Sequence, residues 1–159
     1  MLQILVRKRI LVKLGVFSLL LLAAGCGEPA SSQVSEIYAP GNKAINGYDA
    51  VAFFTDSMAV KGSGNYSFNW KGADWSFASA ENMEKFKADP DKYAPQFGGY
   101  CAYGCSQGHK APTQPETWTI VNGKLYFNYN GEVKKKWTAD RDALIEKADA
   151  NWPAVKTQK

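Results

Sequence analysis

Three side chains that can bind a soft metal ion, Cys101, Cys105 and His109, follow one another at intervals of four residues. His109 is the only histidine of the chain, and Cys26 is the only cysteine outside this set. Thiolate and imidazole ligands suit copper, zinc and iron better than calcium or magnesium. The spacing therefore predicts a metal site at residues 101–109, with copper as the first candidate ion.

The ligand set favours a mononuclear site made of two sulfur atoms and one imidazole. Copper accepts this set, and zinc is the alternative because it takes two thiolates, one imidazole and a water molecule. Hydrolysis by a cysteine or serine needs a histidine base, and His109 has only Cys105 as an obvious neighbour in sequence. The pattern thus favours a binding protein for metal handling, delivery or electron transfer over an enzyme.

The same spacing resembles the binuclear copper loop of cytochrome oxidase subunit II and nitrous oxide reductase. That loop also uses a second histidine and a methionine. This chain has no second histidine, and Pro112 stands where the methionine would fall. The resemblance therefore does not extend to a binuclear site.

A disulfide between Cys101 and Cys105 is the main alternative to a metal site. Residues four apart in a helix have Cα atoms about 6 Å apart, a separation that a disulfide tolerates. An oxidising cell-envelope compartment would favour the bridge. The protein would then be an interaction or scaffold module without enzymatic activity, or a thiol redox protein. Because a disulfide gives no role to His109, the metal site is preferred.

Residues 1–25 have the pattern of an export signal, with basic residues followed by a mainly apolar stretch at 11–24. The segment ends in Leu-Ala-Ala-Gly-Cys at residues 22–26, which resembles the lipobox of bacterial lipoproteins. This resemblance implies that Cys26 carries a lipid anchor. We therefore expect a membrane-anchored protein of the bacterial cell envelope, facing the periplasm or exposed at the cell surface. An ordinary secretory signal is the alternative.

Charge gives no sign of a nucleic-acid partner. Four of the 19 basic residues lie in the expected signal, which leaves 15 basic residues against 15 acidic ones in the mature chain. A protein that binds DNA or RNA normally carries a basic excess or a basic stripe. We therefore expect no nucleic acid among the partners, and a metal donor or redox protein instead.

The chain after Cys26 divides into two parts. Residues 26–42 are rich in Ser, Ala, Pro and Gly, and this composition predicts a flexible tether. Residues 43–159 have the size of one domain.

Sequence patterns in residues 43–159 predict an α+β fold, with a small antiparallel sheet packed against helices. Alternating residues at 66–77 and an Asn122-Gly123 turn predict two hairpins. The apolar run around Val51 predicts a strand, and Ser79 predicts the start of a helix. Spaced apolar residues after Gly131 predict one or two further helices.

Several short motifs resemble the YHS domain, and the resemblance extends over nearly all of residues 43–155. They are Asp49-Ala50-Val51-Ala52, Trp75-Ser76-Phe77-Ala78-Ser79, and the later Phe86, Pro90 and Tyr93. In metal-binding relatives of the TRASH type, cysteines occupy the positions held here by Ala52, Ala78 and Asn82. Because none of these three side chains is a thiolate, a soft-metal site in this chain would have moved to residues 101–109.

Replacement of Cys26 by serine tests the expected lipid anchor, since a serine carries no thiol for the diacylglyceryl group. In cells grown with labelled palmitate, the unchanged chain should incorporate the label and Cys26→Ser should not. Cys101→Ser, the same chemical change at a different cysteine, should keep the label. An unlabelled parent chain would contradict the lipoprotein interpretation.

Overall fold

A computed structural model describes residues 35–159. The expected signal peptide and the expected lipidation of Cys26 lie outside these residues. In the part described, no helix has the length and apolar character needed to cross a membrane.

Residues 35–159 contain six α-helices and two separate two-stranded antiparallel sheets, which confirms the expected α+β class. The helices are α1 (Ala52–Thr55), α2 (Ala80–Ala88), α3 (Pro90–Tyr93), α4 (Ala102–Ser106), α5 (Gly131–Ala139) and α6 (Arg141–Val155). The strands are β1 (Ser63–Trp70), β2 (Ala73–Phe77), β3 (Thr119–Val121) and β4 (Lys124–Tyr126). Short 3₁₀ turns span Pro40–Asn42, Ala44–Gly47, Gln96–Gly99 and Pro115–Thr117.

Both expected hairpins are confirmed. β1 pairs with β2 across Lys71-Gly72, and β3 pairs with β4 across Asn122-Gly123. All four turn residues have positive φ, from 50° to 75°, which is the backbone conformation of a type I′ turn. The two hairpins belong to separate sheets, whereas the sequence predicted a single small sheet.

The expected strand around Val51 is wrong, because the chain forms the short helix α1 there. Asp49 Oδ1 accepts hydrogen bonds from the backbone N–H groups of Val51, at 2.8 Å, and Ala52, at 3.3 Å. These bonds satisfy N–H groups at the start of a helical turn, which have no partner within the helix. A local carboxylate cap therefore outweighs the β-propensity of the apolar run.

Asp49 also joins α1 to the first hairpin and to α2. Its Oδ2 accepts the Ala78 N–H at 2.8 Å and the Asn82 side-chain Nδ2–H at 2.7 Å. The carboxylate is fully buried, and these four donors replace the water that it loses. We call Asp49 and its four donors the Asp49 cluster.

Aromatic rings form the core beside the Asp49 cluster. The Phe86 ring lies 4.7 Å from that of Trp75 and 5.2 Å from that of Phe77, measured between centroids. Phe86 comes from α2, which Ser79 caps as expected by accepting the Asn82 N–H. The first hairpin and α2 are thus held together by buried aromatic contacts.

A second group of buried side chains lies where α4, α5 and α6 meet the second hairpin, and it includes Cys105, Tyr126, Trp137 and Ala148. Asn151 of α6 donates two hydrogen bonds of 3.1 Å, to the backbone oxygens of Cys105 and Ser106. The long C-terminal helix is thereby attached to the short helix that follows Cys101.

The folded domain begins before residue 43, which is the first residue of the domain expected from the sequence. Ile37 is 3% exposed, and the Tyr38 N–H donates to the Gly98 oxygen at 2.9 Å. A Cβ at Gly98 would lie 1.8 Å from the Glu36 oxygen, so a glycine is required there. Part of the segment expected as a tether therefore packs against the domain.

Replacing Asp49 by alanine should lower the free energy of unfolding by about 3 kcal/mol, because it leaves buried N–H donors without an acceptor. Asp89→Ala is the matched control. Asp89 caps α3 through one bond from the Lys92 N–H and is exposed, so its loss should cost about 1 kcal/mol. Urea unfolding measures both, and equal losses would contradict a special role for Asp49.

Candidate metal site

Cys101 immediately precedes α4 and acts as its N-cap. The Gly104 N–H donates to Cys101 Sγ at 3.4 Å, and the thiol donates to Asn128 Oδ1 at 3.8 Å. The backbone is attached on both sides, because the Cys101 N–H bonds to the Ala111 oxygen and the Ala102 N–H to the Phe127 oxygen. The sulfur thus has a defined position between α4 and the end of the second hairpin.

His109 follows α4 and is exposed. Its backbone N–H donates to the Gly104 oxygen at 3.1 Å. A Cβ on Gly104 would lie 3.5 Å from His109 Nε2, so the imidazole lies close to the helix at this residue. The imidazole therefore lies beside the helix that Cys101 caps.

Cys101 and His109 line one surface pocket of about 250 Å³. The other lining residues are Tyr103, Gly104, Ala111, Tyr129 and Val133. The lining contains one thiol and one imidazole and no carboxylate. Its chemistry therefore suits a soft ion better than calcium or magnesium, which bind through oxygen atoms.

Cys105 lies behind this pocket. It is fully buried among the side chains where α4, α5 and α6 meet the second hairpin, and its backbone N–H donates to the Cys101 oxygen one helical turn earlier. Cys101 and Cys105 are both free thiols in the structure. Of the three expected ligands, the structure brings Cys101 and His109 to one pocket and places Cys105 outside its lining.

Among residues 35–159, no three His, Cys, Asp or Glu side chains are grouped so that they could hold a metal ion. The expected Cys101, Cys105 and His109 set is therefore not assembled as a three-ligand centre in this structure. The assignment of these residues as metal ligands stays a prediction.

Burial controls the ionisation of both thiols. It raises the pKa of Cys105 to about 12, and the neighbouring Cys101 contributes to this rise. Burial also raises the pKa of Cys101, although backbone N–H groups, Gly104 foremost, act in the opposite direction. Both thiols are therefore protonated at neutral pH, and a metal ion must displace a proton to bind either sulfur.

Asn128 is a site residue that the sequence analysis missed. It is fully buried, and its Oδ1 accepts the Tyr103 N–H at 3.3 Å as well as the Cys101 thiol. Its Nδ2 is buried without a hydrogen-bond partner. The only signal for it in the sequence is a polar residue inside the aromatic run at 126–129.

The positions at which the YHS resemblance places cysteines in metal-binding relatives meet at the Asp49 cluster. Ala52 and Ala78 donate their backbone N–H groups to Asp49, and Asn82 donates its side-chain amide. In this chain a carboxylate and its hydrogen-bond donors therefore stand where the resemblance would place thiolates.

In a comparison with protein families, residues 51–97 match the YHS domain. The resemblance to this domain is thus confirmed for that segment, which contains the three positions around Asp49 and ends before Cys101. No curated protein and no solved structure matches the chain. The matched segment therefore contains the aromatic contacts of Phe86 with Trp75 and Phe77, and the Cys101 pocket lies outside it.

The raised pKa of Cys105 predicts a loss of stability at alkaline pH. An unfolded thiol ionises near pH 8.5, whereas folded Cys105 keeps its proton to about pH 12. Between these values the unfolded state has lost a proton that the folded state retains, so a rise in pH favours unfolding. The stabilising effect of the protonated thiol is complete below about pH 8.5.

The variant Cys105→Ala isolates the contribution of the Cys105 thiol to the pH dependence of stability. At pH 7 the small cavity should cost about 1–2 kcal/mol. This advantage of the parent chain should shrink as the pH rises above about 8.5 and should reverse before about pH 12, because only the parent chain carries the buried thiol that must keep its proton. Burial also raises the pKa of Tyr100 and Tyr126, and these tyrosines titrate in both proteins. Urea unfolding across this range measures the difference, and a constant difference would contradict the assignment.

Proposed function

We propose that the protein binds one soft transition-metal ion, copper first, in the pocket lined by Cys101 and His109. The observation that carries this proposal is that the only histidine of the chain and the Cys101 thiol line the same pocket. These two side chains lie eight residues apart, and the turn of α4 between them brings both to one surface. The role is metal handling or electron transfer.

Copper(I) fits this donor pair better than the other candidates. It is soft, prefers sulfur and imidazole donors, and needs few ligands. Zinc remains the alternative, but it generally takes four ligands, commonly three from the protein in an open site. The pocket lining supplies two strong donors, with the half-exposed Tyr129 beside them.

Cys105 distinguishes two forms of the site. In the form that we favour, Cys101 and His109 are the ligands and Cys105 is a core residue, since it lies outside the lining of the pocket. In the Cys2His form expected from the sequence, α4 would have to open so that Cys105 reaches the metal. Such opening would disrupt the Cys105 backbone bonds to Cys101 and Asn151.

The cellular setting is part of the same proposal. The YHS family is associated with metal binding, and the lipobox-like segment supports attachment to the cell-envelope membrane through Cys26. The partner would then be a protein that donates copper or exchanges electrons with the bound ion.

Copper(I) titration against a competing chelator tests the proposal under reducing conditions. The full chain should bind one ion, and Cys101→Ser and His109→Asn should each weaken binding by at least about tenfold, because each removes one of two strong donors. Cys105→Ala is the matched control and should stay within about threefold of the parent chain.

Two results would contradict this assignment. Absence of copper binding by the reduced chain would exclude the proposed function, and equal loss in Cys101→Ser and Cys105→Ala would favour the three-ligand form. Adding Cu(II) gives a second measurement, since a thiolate-to-copper absorption band should disappear in Cys101→Ser and persist in Cys105→Ala.

A thiol redox function is the second candidate, because one free thiol belongs to the N-cap of α4 and the other lies within this short helix. Oxidation to a disulfide would remove two hydrogens and would need an external oxidant. A chain that forms this bridge reversibly and retains no copper when reduced would support the redox function, or a scaffold module if the bridge is permanent.

A further inference from the structure

We propose that Asn128 is the positioning residue of the metal site, and that its side-chain amide holds the Cys101 sulfur in both the free and the metal-bound state. The proposal rests on the function proposed above, and the observations that carry it are the burial and the hydrogen bonds of Asn128. The residue itself does not bind the metal.

The backbone of Asn128 is held in place by Thr117 and Gln114. The Asn128 N–H donates to Thr117 Oγ1 at 2.9 Å, and this hydroxyl donates to the Asn128 oxygen at 2.7 Å. The Gln114 N–H also donates to the Asn128 oxygen, at 3.2 Å. With its main chain fixed on both sides and its side chain fully buried, Asn128 has little freedom to move away from Cys101.

In the free protein, Asn128 Oδ1 is the acceptor for the Cys101 thiol. The same oxygen accepts the Tyr103 N–H, so it also satisfies a backbone group in the first turn of α4. The Gly104 N–H approaches the sulfur as a donor. One acceptor and one donor therefore determine the direction of the thiol, which a single bond to a mobile side chain would not do.

The amide nitrogen of Asn128 has no partner, although it is buried. Leaving such a group unsatisfied costs on the order of 1–3 kcal/mol, so it calls for an explanation. A sulfur that holds a metal ion has no proton to donate and acts only as an acceptor. Rotation of the amide about Cβ–Cγ would bring Nδ2 towards this sulfur. The same rotation would break the hydrogen bond that Oδ1 accepts from the Tyr103 N–H.

Two variants separate this role from simple packing. Asn128→Leu removes the acceptor and the donor without adding a charge. Asn128→Asp keeps the shape and the acceptor, has no amide N–H, and adds a negative charge beside the sulfur when it is ionised. Trp137→Phe is the matched control. Trp137 Nε1 is the other buried atom without a partner among the described residues, and it lies outside the pocket lining.

Copper(I) binding to the full chain is the first measurement. Asn128→Leu and Asn128→Asp should each weaken binding by about tenfold, and Trp137→Phe should leave it within twofold. Circular dichroism identifies a variant that fails to fold. If one Asn128 variant does not fold, the copper affinity of the other one tests the proposal. Parent-like affinity in both folded Asn128 variants would overturn the proposal, and parent-like affinity in Asn128→Asp alone would overturn the role of Nδ2.

Alkylation of Cys101 by iodoacetamide is the second measurement, and it uses no metal. The sulfur forms a bond to carbon, iodide leaves, and the thiol proton passes to water; mass spectrometry of peptide fragments separates Cys101 from Cys26 and Cys105. Both Asn128 variants should react about tenfold more slowly than Trp137→Phe, because the sulfur that has lost its proton during the reaction would lack the Nδ2 donor that rotation of the amide brings to it.

The two measurements distinguish failure of this inference from failure of the proposed function. If the parent chain binds no copper but the Asn128 variants alkylate slowly, the metal function is excluded and the positioning of the sulfur by Asn128 stands. If the parent chain binds copper and the Asn128 variants match it in both measurements, Asn128 has no positioning role.

Discussion

The buried carboxylate of Asp49 is the constraint on which the arrangement of the chain depends. A charge without water must be surrounded by donors, and Asp49 takes them from α1, from the end of the first hairpin and from α2. Helix α1 also contacts the segment beside the site, because the centroid of its Phe53 ring lies 5.3 Å from that of the Phe127 ring. The Phe127 oxygen in turn accepts the Ala102 N–H at the start of α4.

The site itself is held by the parts of the chain that are most distant in sequence. Asn151 attaches α6 to the last turn of α4, and Gln158 donates to the Gly108 oxygen beside His109. Lys110 donates to the backbone oxygens of Ser35 and Gln158, so both ends of the described chain meet at this loop. A short helix of five residues has little stability of its own, and these contacts supply the support that it lacks.

The structure relates the YHS resemblance to the chemistry of this chain. The matched segment, residues 51–97, contains the aromatic contacts of Phe86. The three positions at which the resemblance to TRASH-type relatives would place thiolates donate hydrogen bonds to Asp49 instead. The two soft donors that share a pocket, Cys101 and His109, lie beyond that segment. Packing and ligand geometry depend on different residues, so the aromatic core does not by itself determine where soft donors lie in the chain.

Sequence alone determined the features that depend on neighbouring residues. The Asn122-Gly123 turn, the Ser79 cap and the clustering of Cys101, Cys105 and His109 follow from backbone preferences and spacing, which are local. Tertiary structure decided that Asp49 also binds donors from Ala78 and Asn82, that Cys105 is buried outside the pocket, and that Asn128 contacts Cys101 from 27 residues away. These outcomes depend on burial and on hydrogen bonds between distant segments, and a linear pattern does not contain that information.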